Sequence, residues 1–81
     1  MDTKVKCDEV VDGLIPAEKI ARIQTADGKI EDVAVSAKSI SGDKLLAAEI
    51  GRREGKVLVE LPRESVSGRW RIWVKESSIG A

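Results

Sequence analysis

The sequence has no histidine, no phenylalanine and no tyrosine among its 81 residues. Histidine is the commonest general base and metal ligand at neutral pH, so its absence excludes catalytic triads, cysteine–histidine pairs and histidine-bound zinc. The core must therefore consist of Val, Ile, Leu and Ala, with Trp70 and Trp73 as its only available aromatic residues. We expect a small aliphatic core, no enzymatic activity, no catalytic or metal-binding residues and no cofactor.

The chain has a single cysteine, Cys7, which excludes an intrachain disulfide and a Cys-x-x-Cys site. The neighbouring carboxylates of Asp8 and Glu9 disfavour the thiolate, so we predict an inert thiol. No apolar run approaches the roughly 18 residues of a membrane-spanning helix. The first ten residues also lack the apolar segment of a signal peptide. These features predict a single soluble domain in the reducing cytoplasm, without a membrane partner.

Basic and acidic residues balance at 14 each, which disfavours a strongly basic nucleic-acid-binding protein. Their distribution is uneven. Residues 1–50 contain seven basic and ten acidic residues, whereas residues 51–81 contain seven basic and four acidic ones. This asymmetry would orient the domain on an anionic partner or align two copies head to tail. An ordinary mixed surface is the more common explanation.

Residues 18–36 predict a β-hairpin, because Asp27-Gly28 supplies the positive φ that a tight turn between two strands needs. In the second strand, Val33 and Val35 share one face. In the first strand, Ile20 and Ile23 are out of step by one residue. This irregularity predicts a β-bulge or an early end to the strand.

Residues 44–61 predict a second hairpin around Glu54-Gly55. Strict alternation from this turn assigns one face to the residues Leu46, Ala48, Ile50, Val57, Val59 and Leu61. The opposite face then contains Leu45, Ala47, Glu49 and Leu58. The Leu45–Ala48 run also suits a helix, but Gly51 follows too soon for one.

Residues 69–75 alternate as a last strand. Its inner face contains Trp70, Ile72 and Val74, and its outer face contains Arg69, Arg71, Trp73 and Lys75. Alternation thus predicts that Trp70 is buried and Trp73 is exposed. Near the N-terminus, alternation predicts a short strand with Val5 and Cys7, followed by a turn at Asp12-Gly13. A flexible arm is the alternative for residues 1–16.

One spacing recurs where predicted strands end. An aliphatic residue, three further residues, a serine and a second aliphatic residue occur in Val35–Ile40, Leu61–Val66 and Val74–Ile79. We expect each copy to form a one-turn helical plug whose second aliphatic residue closes the end of a barrel. Its serine hydroxyl would bond a free backbone group. Internal duplication and repeated use of one structural solution explain the pattern equally well.

The segment Leu61-Pro62-Arg63-Glu64-Ser65-Val66 resembles SH3 domains, which have a hydrophobic residue, proline, three residues and valine at this spacing. In SH3 domains this segment is the 3₁₀ turn before the last strand. The resemblance implies an all-β fold, a small five- to six-stranded SH3-like barrel or roll of two hairpins plus a C-terminal strand. The aromatic residues of the SH3 peptide groove are missing here, so recognition of proline-rich peptides is not implied.

The outer face of the last strand is the most informative surface, because an exposed Trp among cations suits a protein interface or a stacked base. The candidate interface residues are Trp73, Arg71, Arg69, Lys75, Leu58 and Leu45. The candidate nucleic-acid-binding residues are Arg52, Arg53, Arg69, Arg71, Trp73 and Lys75. Alternatively, the N-terminal segment with Val10, Val11, Leu14 and Ile15 covers this face.

We expect a non-enzymatic module that self-associates or binds a protein. The first alternative is a weak nucleic-acid-binding protein. The second is an enzyme or small-ligand carrier with its site at a barrel mouth or a subunit interface.

Overall fold

The computed structural model describes residues 2–80 of the chain, which form nine strands and two 3₁₀ helices. The strands are β1 Asp2–Lys6, β2 Glu9–Asp12, β3 Glu18–Gln24, β4 Ile30–Ser36, β5 Ile40–Ser41, β6 Lys44–Arg53, β7 Lys56–Glu60, β8 Arg71–Lys75 and β9 Ile79–Gly80. The 3₁₀ helices are Ala37–Ser39 and Glu76–Ser78. Within residues 2–80, no helix is long and apolar enough to cross a bilayer.

The strands form two antiparallel sheets, so the all-β prediction is confirmed. The larger sheet has the order β8-β7-β6-β1-β9, with β5 beside β6, and the smaller sheet has the order β2-β3-β4. Both predicted hairpins are present, as β3–β4 and β6–β7. The N-terminal segment contributes one strand to each sheet, because the chain passes from β1 to β2 at Cys7 and Asp8.

Of the predicted barrel or roll of five to six strands, a closed barrel is excluded, because no continuous ladder of strand pairing joins the two sheets across residues 2–80. Isolated hydrogen bonds connect their edges. At the β4–β8 side, the Ala26 N–H donates to the carbonyl of Trp73 and the Val66 N–H donates to that of Asp32, both at 2.8 Å. A gap therefore remains between the edges of β4 and β8.

The core lies between the two sheets and is aliphatic apart from Cys7. Alternation predicted its members correctly on β4, β7 and β8, where Val33, Val57 and Val74 are fully buried. The predicted bulge in β3 is wrong: the β3–β4 register runs without a shift from Glu18 to Gln24. The apparent irregularity has a simpler cause, since Ile20 lies on the opposite face of β3 from Ile23.

The predicted faces of β6 are wrong, and a β-bulge is the reason. Glu49 pairs with Val59, but Gly51 pairs with Leu58, so Ile50 is an extra residue between two consecutive pairs. A bulge of one residue reverses the alternation for the rest of the strand. Leu45, a candidate interface residue, is therefore fully buried in the core, as is most of Ala47.

The predicted burial of Trp70 is also wrong, because its side chain is 53% exposed. The ladder does reach this residue, since the Leu61 N–H donates to the Trp70 carbonyl at 2.8 Å. Trp70 lies before the first residue of β8, at the corner of the sheet where its edge strand begins. Alternation predicts toward which face of the sheet a side chain points. Burial also requires residues of the second sheet above that face, and these do not fully cover the corner of the larger sheet.

Two of the three predicted plugs are present. A 3₁₀ helix follows β4 and another follows β8, and the next residues, Ile40 and Ile79, pack against the core. The plug at Leu61–Val66 is wrong, because that segment contains no 3₁₀ helix and Val66 is exposed. The predicted bond from the serine to the backbone is nevertheless present here, because the Ser65 hydroxyl accepts the Arg69 N–H at 3.0 Å and closes a five-residue turn.

The Ser65–Arg69 turn has the same hydrogen bonds as the Thr25–Lys29 turn of the first hairpin. In each, the hydroxyl of the first residue accepts the N–H of the fifth, and the N–H of the first donates to the carbonyl of the fifth. The fourth residue is Gly28 or Gly68, with φ of 84° and 90°. Each turn also bonds to the strand that follows the other turn, and so they hold the two sheets together.

Candidate binding surface

Trp73 lies on β8, on the face of the larger sheet that points away from the core. Its cross-strand neighbour is Leu58, and its side chain is 38% exposed. The N-terminal segment does not cover it, because β2 pairs with β3 in the smaller sheet and Leu14 and Ile15 are themselves exposed. The outward position predicted for Trp73 from the sequence is confirmed.

Apolar residues continue from Trp73 across the outer face of the larger sheet. The bulge in β6 brings Leu46 and Ile50 to this face, where they are 39% and 44% exposed. We use the name apolar stripe for the residues Leu46, Ala48, Ile50, Leu58 and Trp73. Strict alternation had assigned Leu46, Ala48 and Ile50 to the core, so three of the five residues of this surface were not predicted.

Three cations lie side by side next to the apolar stripe. Arg53 pairs with Lys56, and Lys56 pairs with Lys75, across β6, β7 and β8. We call these three residues the cation row. Arg53 and Lys75 were candidate residues from the sequence and Lys56 was not, although the two-residue turn at Glu54-Gly55 determines its position opposite Arg53.

The other candidate arginines have carboxylate partners. Arg71 donates to Glu60, its cross-strand neighbour, at 3.0 Å. Arg69 lies 3.6 Å from Glu31. Both remain more than half exposed, so these pairs are weak and leave the guanidinium groups open to other contacts.

Arg52 does not belong to this surface. It pairs with Val57, a core residue, and so lies on the inner side of the sheet, at its end. Its guanidinium makes two hydrogen bonds to Glu49, at 2.9 and 3.1 Å, and lies 3.3 Å from Glu76. The hydrogen bond to Glu49 raises the pKa of Arg52 and lowers that of Glu49.

A groove of about 410 Å³ is lined on one side by Trp73 and on the other by the Thr25–Lys29 turn. The turn is held rigid by Thr25, whose hydroxyl donates to the Asp27 carboxylate and lowers the pKa of that group. Five cations and three acids line the groove, namely Lys29, Arg53, Lys56, Arg69, Arg71, Asp27, Glu31 and Glu54. The groove therefore has a positive excess in a chain whose net charge is zero.

Glu31 is a buried carboxylate in the wall of the groove. The Ser67 hydroxyl donates to its Oε1 at 2.6 Å, and the Arg69 guanidinium is its ion-pair partner. Ser67 belongs to the second five-residue turn, so this contact joins β4 to the loop before β8.

Replacing Glu31 with alanine is expected to lower the free energy of unfolding by about 1–1.5 kcal/mol, because a charge-assisted hydrogen bond at a buried site is lost. The loss is at the lower end of the usual range because Ser67 is exposed, so water can replace the carboxylate. Urea denaturation measures the change. The control is Glu60→Ala, which removes the exposed pair with Arg71 and should cost less than about 1 kcal/mol. Equal losses in the two variants would contradict the role of burial.

In the part of the chain that the structure describes, no cluster of three or more Cys, Asp or Glu side chains could hold a metal ion. Cys7 is buried and its thiol donates weakly to the Val5 carbonyl. Burial, followed by the negative charge of Asp43, raises the pKa of this thiol to about 11. At neutral pH the group is therefore a protonated thiol and a poor nucleophile.

Comparison with known proteins returned no match among protein-family models, curated proteins or solved structures.

Proposed function

We propose that this chain is a non-enzymatic binding module that self-associates through its apolar stripe. The observation that carries the proposal is the continuous apolar surface from Leu46 and Ile50 on β6 to Leu58 and Trp73. An exposed apolar surface of this kind on a small soluble domain is typical of an interaction site. Trp73 and the adjacent Arg71 are also the residue types that contribute most to protein interfaces.

A second copy of the chain is the occupant we favour, because this small domain has a weak core. A domain of this length buries only roughly 60% of the surface of its unfolded chain. The buried core lacks aromatic residues across residues 2–80, and both tryptophans lie at the surface. Association of two apolar stripes would add the buried apolar area that the monomer lacks.

The proposal includes the SH3-like path of the chain and a cytoplasmic location. Support for the path comes from the two hairpins and from a 3₁₀ helix, Glu76–Ser78, directly before the last strand. That helix lies 15 residues after the segment in which the sequence resemblance was found, counted from Leu61 to Glu76. Support for the location comes from Cys7, which is a buried free thiol.

Light scattering on the wild type and Trp73→Ala tests the proposal. The wild type should have a mass near twice the 8.8 kDa of the monomer at micromolar concentration. Trp73→Ala should weaken association roughly 30-fold or more, as expected for a central interface residue worth about 2 kcal/mol. Ile50→Lys should act in the same direction, because it places a charge within the stripe.

Trp70→Ala is the matched control, because it removes a tryptophan that is even more exposed than Trp73 and lies outside the apolar stripe. It should leave the association constant within about twofold of the wild type, since distant exposed residues contribute little. Circular dichroism on each variant verifies that the sheets remain folded. A wild type that stays monomeric at millimolar concentration would disprove self-association, as would a Trp70→Ala variant that dissociates as readily as Trp73→Ala.

A further inference from the structure

The cation row brings like charges together on three adjacent strands, and no ion pair in the described chain offsets them. Arg53, Lys56 and Lys75 are direct cross-strand neighbours on the outer face, and like charges in such positions are destabilising. Among residues 2–80, no carboxylate lies within 4.0 Å of any of the three. A local conflict of this kind is typical of a functional site, where an external partner supplies the missing interaction.

Protection of a sheet edge does not account for the row. Lysine on an edge strand discourages pairing with other chains, and Lys75 on β8 serves that purpose. Lys56 and Arg53, however, lie on β7 and β6, which are interior strands of the larger sheet. Their positive charges have no effect on edge pairing. The arrangement instead concentrates positive charge over three adjacent strands.

The neighbouring row of the same face is flat and aromatic. It consists of Trp73, Leu58 and Gly51, which are cross-strand neighbours on β8, β7 and β6. A side chain at Gly51 would meet no other atom within 4 Å, so the surface above this row is open. A half-exposed indole on an open sheet surface, with cations beside it, is the arrangement on which proteins stack the bases of single strands.

The groove beside Trp73 completes the site. Its volume of about 410 Å³ lies at the small end of the range for ligand pockets and suits one planar base with its sugar. Lys56 and Arg53 belong both to the cation row and to the groove. A base that stacks on Trp73 from this side would have its phosphates directed toward the row.

We propose that single-stranded nucleic acid binds across this face, with a base against Trp73 in the groove and phosphates at Arg53, Lys56 and Lys75. The site shares Trp73 with the proposed self-association surface, so the two partners would compete for this residue, but it adds three charges that self-association does not use, and either proposal can fail alone. A duplex fits less well, because its bases are stacked on each other and the indole cannot reach them. The zero net charge of the chain predicts weak binding with little long-range attraction.

Tryptophan fluorescence gives a direct readout in the Trp70→Phe variant, where Trp73 is the only tryptophan. A ten-nucleotide oligothymidylate at about 20 mM salt should quench Trp73. The affinity should fall with salt by a slope of roughly −0.7 per phosphate contact in a plot of log K against log salt concentration. The duplex of the same length and the free mononucleotide should bind more weakly.

Lys56→Ala and Lys6→Ala form a matched pair. Lys6 on β1 also pairs with a lysine, Lys44 on the neighbouring strand β6. This pair lies at the end of the sheet away from Trp73. Each change removes one charge from a like-charged pair. Only Lys56→Ala should reduce the salt slope, by about 0.7, and weaken binding at low salt. Anisotropy of a labelled oligonucleotide should show a loss of roughly 5- to 100-fold for Trp73→Ala, the usual effect of removing one stacked base.

Three results would overturn the proposal. The first is no quenching of Trp73 at 20 mM salt. The second is an equal effect of Lys6→Ala and Lys56→Ala, which would mean diffuse attraction to the whole surface. The third is binding of the free mononucleotide as tightly as the oligonucleotide, which would reassign the groove to a small ligand. Light scattering on the same samples reports self-association separately.

Discussion

Leu45→Ala is expected to lower the free energy of unfolding by about 2–5 kcal/mol, whereas Leu46→Ala should lower it by less than about 1 kcal/mol. The two residues are adjacent and chemically identical, but Leu45 is fully buried and Leu46 lies on the exposed face of β6. Truncation at Leu45 leaves a cavity between the two sheets. Truncation at Leu46 removes only part of a solvent-exposed surface. Urea denaturation followed by circular dichroism measures both changes.

The comparison tests the bulge at Ile50, because the faces of β6 depend on it. Without the bulge, Leu46 would point into the core and the order of the two losses would be reversed. The measurements should be made at a protein concentration low enough to keep both variants monomeric, since Leu46 also belongs to the proposed self-association surface. A larger loss for Leu46→Ala than for Leu45→Ala in the monomer would contradict the structure.

The second large effect is a loss of stability in alkali that depends on Cys7. Burial raises the pKa of its thiol from 9.0 to about 11. The folded protein therefore holds this proton more tightly than the unfolded chain does. The contribution of this thiol to the free energy of unfolding is complete well below pH 9. It is lost as the pH rises through 11, because the unfolded chain forms the thiolate more readily than the buried core does. Two pKa units correspond to about 3 kcal/mol.

Cys7→Ala provides the reference for this measurement, because lysines also lose their protons in the same range. The free energy of unfolding at pH 9 and at pH 11 is compared for the wild type and the variant. The wild type should lose about 2 kcal/mol more than Cys7→Ala between these values, since the rest of the effect falls below pH 9 and above pH 11. The same loss in both proteins would show that Cys7 does not titrate as a buried thiol.

The hairpins were predictable because their turns are local. Asp27-Gly28 and Glu54-Gly55 supply the positive φ that such turns require, and Gly28 and Gly55 have φ of 84° and 78°. The faces of β4, β7 and β8 followed from alternation, since none of these strands contains an extra residue. The faces of β6 did not, because a bulge is decided by the fit of one strand to its neighbours rather than by the composition of the strand.

The candidate site was predictable in part. Trp73 followed from alternation, and so did its outward neighbours on β8. The burial of Leu45 did not, because it depends on the bulge in β6, and the exposure of Trp70 did not, because it depends on what covers the corner of the sheet. The groove beside Trp73 depends on the Ala26 N–H, which anchors the first hairpin turn to the Trp73 carbonyl across the two sheets.

The sequence alone determined that this protein is an all-β domain with an aliphatic core, two hairpins and an outward-facing Trp73. These properties depend on residue type and on spacing within single strands, so they need no knowledge of the fold. The tertiary structure alone decided that the chain forms two sheets instead of a closed barrel, and that Leu46 and Ile50 join Trp73 on one face. Both outcomes depend on pairing between residues distant in sequence, where a single extra residue reverses the direction of every side chain beyond it.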